Sequence, residues 1–179
     1  MANEQPCPKP GLVMVFTGDG KGKTTAAVGQ AVRALGHGYS VYMIHFMKGR
    51  DYGEFLILEK MAKLTLVRAG RDSFVCRDNP DPVDLELAAD GFSRAKEAIK
   101  SGDYDLVVLD EINVAVDFGL IEEEALLNLL EEKPAEVTVI LTGRSASPNL
   151  IKQADLVSEV LAIKHHYEKG ADCVAGIEY

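Results

Sequence analysis

Residues 17 to 25 read Thr-Gly-Asp-Gly-Lys-Gly-Lys-Thr-Thr, between the apolar run Gly11–Phe16 and the helical pattern Ala26–Leu35. A strand, a glycine-rich turn ending in Gly-Lys-Thr and a helix form the layout that cradles phosphate. Glycines turn backbone N–H groups inward without a clashing side chain, and the helix adds the positive end of its dipole. The expected ligand is a nucleoside triphosphate, held along Thr17, Gly18, Asp19, Gly20, Lys21, Gly22, Lys23, Thr24 and Thr25. Lys23 would reach phosphate oxygens, and the Thr24 hydroxyl would touch a bound Mg²⁺. The spacing departs from Gly-x-x-x-x-Gly-Lys-Ser/Thr in one respect: counted back from Gly22-Lys23-Thr24, position 17 is Thr instead of Gly.

A second segment completes a nucleotide site. Tyr104 to Glu111 is an apolar strand pattern ending in two acids. Asp110 and Glu111 would hold Mg²⁺, directly or through waters, opposite Thr24. Asn113 follows closely and is a candidate ligand contact. Leu141-Thr-Gly-Arg144 ends another apolar run, where Arg144 suits a phosphate contact or a surface ion pair. Lys164-His165-His166-Tyr167 is similarly open. No residue stands out as an arginine finger or a water-positioning glutamine. Spacing alone therefore leaves phosphoryl transfer as the default and does not say which bond breaks.

The elements that must position these groups alternate almost from end to end. Predicted strands are Leu12–Thr17, Ser40–Phe46, Leu64–Arg68, Asp105–Asp110, Val137–Thr142 and Leu156–Ile163. They are apolar on both faces, as in a parallel sheet covered on each side. Predicted helices are Lys23–Leu35, Gly53–Ala62, Pro82–Lys100, Ile121–Glu131 and Pro148–Ala154. In the third of these, Leu85, Ala88, Phe92, Ala95 and Ile99 share one face. Gly36-His37-Gly38 and Pro134 supply helix stops. The expected fold is a doubly wound α/β domain with helices on both faces of a mostly parallel sheet, its ligand at the C-terminal strand ends.

Bulk properties narrow the function. The chain has 179 residues, 47% hydrophobic and 26% charged, as in a soluble globular protein. A single domain is expected over 11–179, after a disordered lead-in at 1–10 carrying Pro6, Pro8 and Pro10. The net charge of −9 argues against a nucleic-acid partner but leaves room for a nucleotide in a locally positive pocket. No apolar run has the length of a membrane span, and the N-terminus lacks the core of a signal peptide. Cys7, Cys76 and Cys173 are far apart, which suits a reduced, cytoplasmic setting. His37, His45, His165 and His166 show no metal-ligand spacing and read as ordinary surface or core residues.

Taken together, the motifs resemble the P-loop ATP:corrinoid adenosyltransferases, from about Val13 to Tyr179. The resemblance is carried by Thr17–Thr25, Ala34-Leu-Gly-His-Gly38, His45-Phe-Met-Lys-Gly49 and Tyr104–Asn113. It continues through Leu141–Arg144, Ala154-Asp-Leu-Val-Ser-Glu159, Lys164-His165 and Gly176-Ile-Glu-Tyr179. The shifted P-loop register is the form this family uses. The resemblance implies a RecA-like P-loop domain that moves the 5′-deoxyadenosyl group of ATP to the Co(I) of a reduced corrinoid. ATP would lie in reverse relative to ordinary P-loop enzymes, so the cradle grips the leaving triphosphate. Lys23, Thr24 and Glu111 would be catalytic, with Mg²⁺ on Thr24, Asp110 and Glu111. Arg144 would join the ATP contacts. Phe74, Cys76 and Asn113 are the corrinoid candidates, although Cys76 stands where family members often carry a Trp, and Phe74 reads equally as core. A reducing flavoprotein partner, a homodimer, no nucleic acid and no membrane association complete the implied picture.

Overall fold

The computed structural model describes residues 10–166, 170 and 173–177. The expectations for the lead-in 1–9, Cys7, Tyr167 and the closing Glu178-Tyr179 lie outside the described residues.

Six strands form one sheet: β1 (Val13–Thr17), β2 (Val41–Phe46), β3 (Leu64–Ala69), β4 (Leu106–Asp110), β5 (Thr138–Thr142) and β6 (Leu156–Glu159). Their spatial order is β3-β2-β4-β5-β1-β6, and every neighbouring pair is parallel. The connecting helices are α1 (Lys23–Gly36), α2 (Gly53–Leu58), α3 (Pro82–Ser101), α4 (Ile112–Asp117), α5 (Glu123–Glu131) and α6 (Pro148–Gln153). Side chains alternate along each strand and so feed two cores. Val41, Met43, Leu106, Val108 and Ile140 pack with Ala27 and Ala31 of α1. Tyr42, Ile44, Phe46, Val107, Leu109, Val139 and Leu141 pack with α3, α4 and α5 on the opposite face. The doubly wound parallel architecture is as the sequence implies.

The differences have local causes. β3 and β6 are edge strands and stay partly or wholly exposed, so only the inner four are buried on both faces. β6 stops at Glu159, four residues before the expected end. Beyond it the Val160 carbonyl accepts the Gly20 N–H at 2.7 Å instead of extending the sheet. α2 ends at Leu58, where Lys60 and Met61 donate to Ile57 and Leu58 in tighter three-residue turns. α4 was not expected; it is a short helix opened by Glu111 in the left-handed region.

On α3 the buried stripe includes Ala88, Ala95 and Ile99, as expected, but Leu85 is exposed. Gly91 takes its place in the packing. A Cβ there would lie 2.4 Å from the Ala69 Cβ and 3.1 Å from Phe46, so α3 crosses the sheet where no side chain fits. α1 ends as Gly36-His37-Gly38 implies: Gly38 adopts φ +80°, and Tyr39 and Gly38 donate back to Ala34 and Leu35.

Candidate active site

β1 delivers Thr17 to the C-terminal edge of the sheet, and the chain turns through Gly18 (φ +96°) and Gly22 (φ +122°) into α1. Close approach as well as turning demands glycine here. A Cβ on Gly18 or Gly20 would sit 2.5 or 2.7 Å from the Val160 carbonyl. Lys23 opens α1 and curls back to donate to the Gly20 carbonyl at 2.6 Å. Burial pulls its pKa down, partly offset by Glu111 and reinforced by Arg144.

Strand alternation sets the floor of the site. His45 is paired across from Asp110, and Thr142 lies one residue past the Leu109–Leu141 pair. Parity turns all three toward the face that α1 covers, at the ends of β2, β4 and β5. Asp110 is fully buried there and accepts four hydrogen bonds. Thr24 Oγ1 at 2.8 Å and Thr142 Oγ1 at 2.6 Å donate to Oδ1. His45 Nδ1 at 2.8 Å and Lys48 Nζ at 2.7 Å bond Oδ2. An ionised carboxylate only accepts, so the His45 nitrogen facing it carries the proton. Burial alone would push the Asp110 carboxyl up; the Lys48 ammonium and the His45 ring outweigh it and hold it well below the usual carboxylate range. Asp110 thus has two hydrogen bonds on each oxygen, and stands directly behind the Thr24 hydroxyl.

Lys48 Nζ also donates to Thr24 Oγ1 at 3.0 Å and lies 3.4 Å from Glu111 Oε1. Burial would lower its pKa, but Asp110 and Glu111 outweigh this and raise it. Glu111 turns the corner from β4 at φ +61°, with its N–H donated to Thr142 Oγ1 at 3.0 Å. The Thr24 oxygen and the Glu111 carboxylate therefore converge on one cation-sized position. Both are the hard donors that Mg²⁺ selects, with room for phosphate oxygens and water beside them. The residues present fit the ion.

A cavity of about 880 Å³ opens above this floor. Its lining includes the cradle Gly20–Thr25 with Lys48, Glu111 and Arg144, and the apolar side chains of Met47, Phe74, Val75, Val114 and Phe118. Asp19, Lys21, His165 and Cys173 also face it. Thr17 and Gly18 do not line it and shape the turn from beneath; Thr17 Oγ1 accepts the Ala146 N–H at 3.2 Å. Arg144 is 64% exposed and 3.9 Å from Asp19, across the mouth of the loop.

Phe74 is 94% exposed at the cavity rim, which rules out the core reading. Its loop is tied at both ends. Arg71 bonds Asp81 and bridges both oxygens of Asp84, at 2.6 and 2.7 Å, while Arg77 bonds Asp117 at 2.8 Å. Two corrinoid candidates stand outside the cavity lining. Cys76 is exposed but does not line the cavity. Asn113 is buried in α4 and donates to the Gly143 carbonyl at 3.2 Å, so it braces the turn that carries Arg144 and does not face the cavity. Reasoning from sequence missed His45, Lys48 and Thr142. Each lay within a motif segment, but only strand parity brings them to one carboxylate.

A family model described as ATP:corrinoid adenosyltransferase BtuR/CobO/CobP matches residues 9–179. The chain belongs to the ATP:corrinoid adenosyltransferase family. Among relatives, the corrinoid adenosyltransferase of Escherichia coli K12 is 36% identical over 94% of this chain and 86% of its own length. That of Pseudomonas aeruginosa is 32% identical over 94% of this chain and 84% of its own. The Salmonella typhimurium enzyme CobA is 35% identical over 94% and 86%. Among solved structures, the RadB recombinase superposes with TM-score 0.55 at 17% identity, covering 88% of this chain and 77% of that one. The flagellar accessory protein FlaH of Methanocaldococcus jannaschii gives 0.54 at 14%, covering 84% and 72%. These distant structures share the fold.

Proposed function

We propose that this chain transfers the 5′-deoxyadenosyl group of ATP to the Co(I) of a corrinoid and releases inorganic triphosphate. The observation that carries the reading is a single cavity whose lining combines the phosphate cradle and its lysines with apolar side chains that include the exposed Phe74. Co(I) donates its electron pair to C5′, the C5′–O5′ bond breaks, and the triphosphate departs with that bond's electrons. Cobalt becomes Co(III) and no proton moves, so no general base is needed.

Negative charge grows on the triphosphate as the bond to carbon lengthens. Lys23, backbone N–H groups of the Lys21–Thr25 turn and Arg144 would meet that charge, and groups placed where charge develops lower the barrier most. Thr24 and Glu111 would hold Mg²⁺, which neutralises phosphate charge when bound. Asp110 fixes the Thr24 hydroxyl and, through Thr142, the Glu111 backbone. Phe74 and Val75 offer an apolar surface to the corrin face and exclude water from the strongly reducing cobalt.

The remaining elements of the reading rest on the family alone: electrons from a flavoprotein, a homodimer and a cytoplasmic setting. Among the described residues no helix is long and apolar enough to cross a membrane. Residues 11–179 are read as one domain, in keeping with six strands in one sheet. The test is incubation with Mg-ATP, a corrinoid and a strong reductant. Triphosphate and a light-sensitive alkylcobalt product are expected; ADP formed without any corrinoid requirement would reject the proposal.

A further inference from the structure

We propose that Lys48 is an exchangeable cation: it fills the metal position of the free protein and turns onto the triphosphate when the metal–nucleotide complex enters. The inference deepens the reading above and rests on its triphosphate cradle.

Three oxygens define the position. Lys48 Nζ lies 2.7 Å from Asp110 Oδ2, 3.0 Å from Thr24 Oγ1 and 3.4 Å from Glu111 Oε1. Thr24 spends its proton on Asp110, so its oxygen meets Lys48, or a metal in the same position, with lone pairs only. An ammonium and a divalent cation cannot share that spot, because like charges a few ångströms apart in a dry site repel strongly. Loading a metal there requires the ammonium to leave.

The chain around Lys48 lets the head move and not the stem. Gly70 packs on the Met47–Lys48 backbone so closely that a Cβ would lie 2.3 Å from the Lys48 nitrogen, and Gly49 packs likewise on Arg71 and Asp72. Met47 is held at φ +57°. The backbone is clamped, while the four-carbon side chain, 15% exposed, lines the cavity alongside Lys23. Tyr52 stands beside it, its ring centre 5.3 Å from Nζ, a surface along which an ammonium can swing.

Charge is matched in both states. In the free site the ammonium faces the buried Asp110 and the partly buried Glu111. With Mg²⁺ at Thr24 and Glu111, the divalent charge replaces it, and the anion within its reach is the triphosphate. Metal occupancy thereby becomes conditional on nucleotide, because Lys48 blocks a bare ion and gives way only where phosphate receives it.

The probes are Mn²⁺ alone, followed by electron paramagnetic resonance, and inorganic triphosphate alone, followed by calorimetry. Lys48→Met keeps length and removes charge. It should tighten Mn²⁺ binding to the free protein by at least about tenfold, and weaken triphosphate binding by about tenfold or more. The exchange itself shows in the coupling: triphosphate should tighten Mn²⁺ binding in the parent protein and markedly less in Lys48→Met, whereas a lysine that stays in place leaves the coupling the same in both and overturns the inference. Unchanged or weakened Mn²⁺ binding in folded Lys48→Met overturns the inference. If that variant does not fold, Lys48→Arg decides: it should retain triphosphate affinity and keep Mn²⁺ out, and Mn²⁺ binding tighter than in the parent protein overturns the inference. Neither probe involves a corrinoid or transfer chemistry, so these results are independent of whether adenosyl transfer itself is observed.

Discussion

Replacing Thr142 by Val removes one hydroxyl and almost no volume, yet it should be among the costly single changes in this protein. The hydroxyl donates to Asp110 Oδ1 at 2.6 Å and accepts the Glu111 N–H at 3.0 Å. A hydrogen bond to a charged group contributes about 1.5–3 kcal/mol, and an orphaned N–H costs a further ~1–3 kcal/mol. The added methyl returns about 1 kcal/mol of apolar burial. The net loss expected is about 2–4 kcal/mol. With a urea slope of about 2 kcal/mol per molar for a chain of this size, the midpoint should fall by about 1–2 M. Equilibrium urea unfolding followed by circular dichroism measures this directly. Thr142→Ser keeps the hydroxyl and should recover most of the loss. A Thr142→Val midpoint within about 0.2 M of the parent would refute the reasoning that Asp110 and Glu111 depend on this residue.

Other expectations follow from the same geometry. Lys23→Ala should lower kcat/KM by about 2–4 kcal/mol in transition-state terms, read from triphosphate release, and near-parental turnover would take the P-loop lysine out of the mechanism. Gly91→Val forces side-chain atoms into Ala69 and Phe46 and should cost about 1–3 kcal/mol by urea unfolding; a neutral result would mean α3 shifts freely on the sheet. Phe74→Ala should leave the unfolding midpoint unchanged and raise KM for the corrinoid, since the ring is exposed; a fall in stability without a KM effect contradicts its place on the substrate wall. Asp84 and Asp110 both titrate below their unfolded value of 3.8, Asp84 through its Arg71 bonds and Asp110 through Lys48 and His45 against the opposing effect of burial. Depressed carboxyls contribute stability above that value and lose it as pH falls through their folded values, so the urea midpoint should drop between pH 5 and pH 3. A midpoint that rises on acidification would contradict it.

Much of this was legible in the sequence because the signals were local. Glycine spacing, the Gly-Lys-Thr ending and an apolar run closed by two acids each depend on neighbours along the chain. The parallel sheet and the two-sided burial of its inner strands followed from continuous apolar strands, while the strand order came only with the structure. What escaped depends on register. His45 looks like an ordinary residue until β2 is paired with β4, when parity puts it against Asp110. Lys48 sits two residues past the strand end, and only the crossing of Gly49 and Gly70 fixes where its ammonium lies. Thr142 was read as part of a motif that ended in Arg144, while its hydroxyl serves the neighbouring strand. Asn113 shows the complementary effect: its spacing from Glu111 suggested a ligand contact, and helix α4, which the sequence did not signal, directs its amide to Gly143.

The central claim is that carbon, and not phosphorus, is the atom attacked. ATP carrying ¹⁸O at the oxygen that joins C5′ to the α-phosphate distinguishes the two. After turnover with a reduced corrinoid, the account predicts all of the label in inorganic triphosphate and none in the adenosyl product. Label retained in ADP, with ordinary phosphate released, would contradict it.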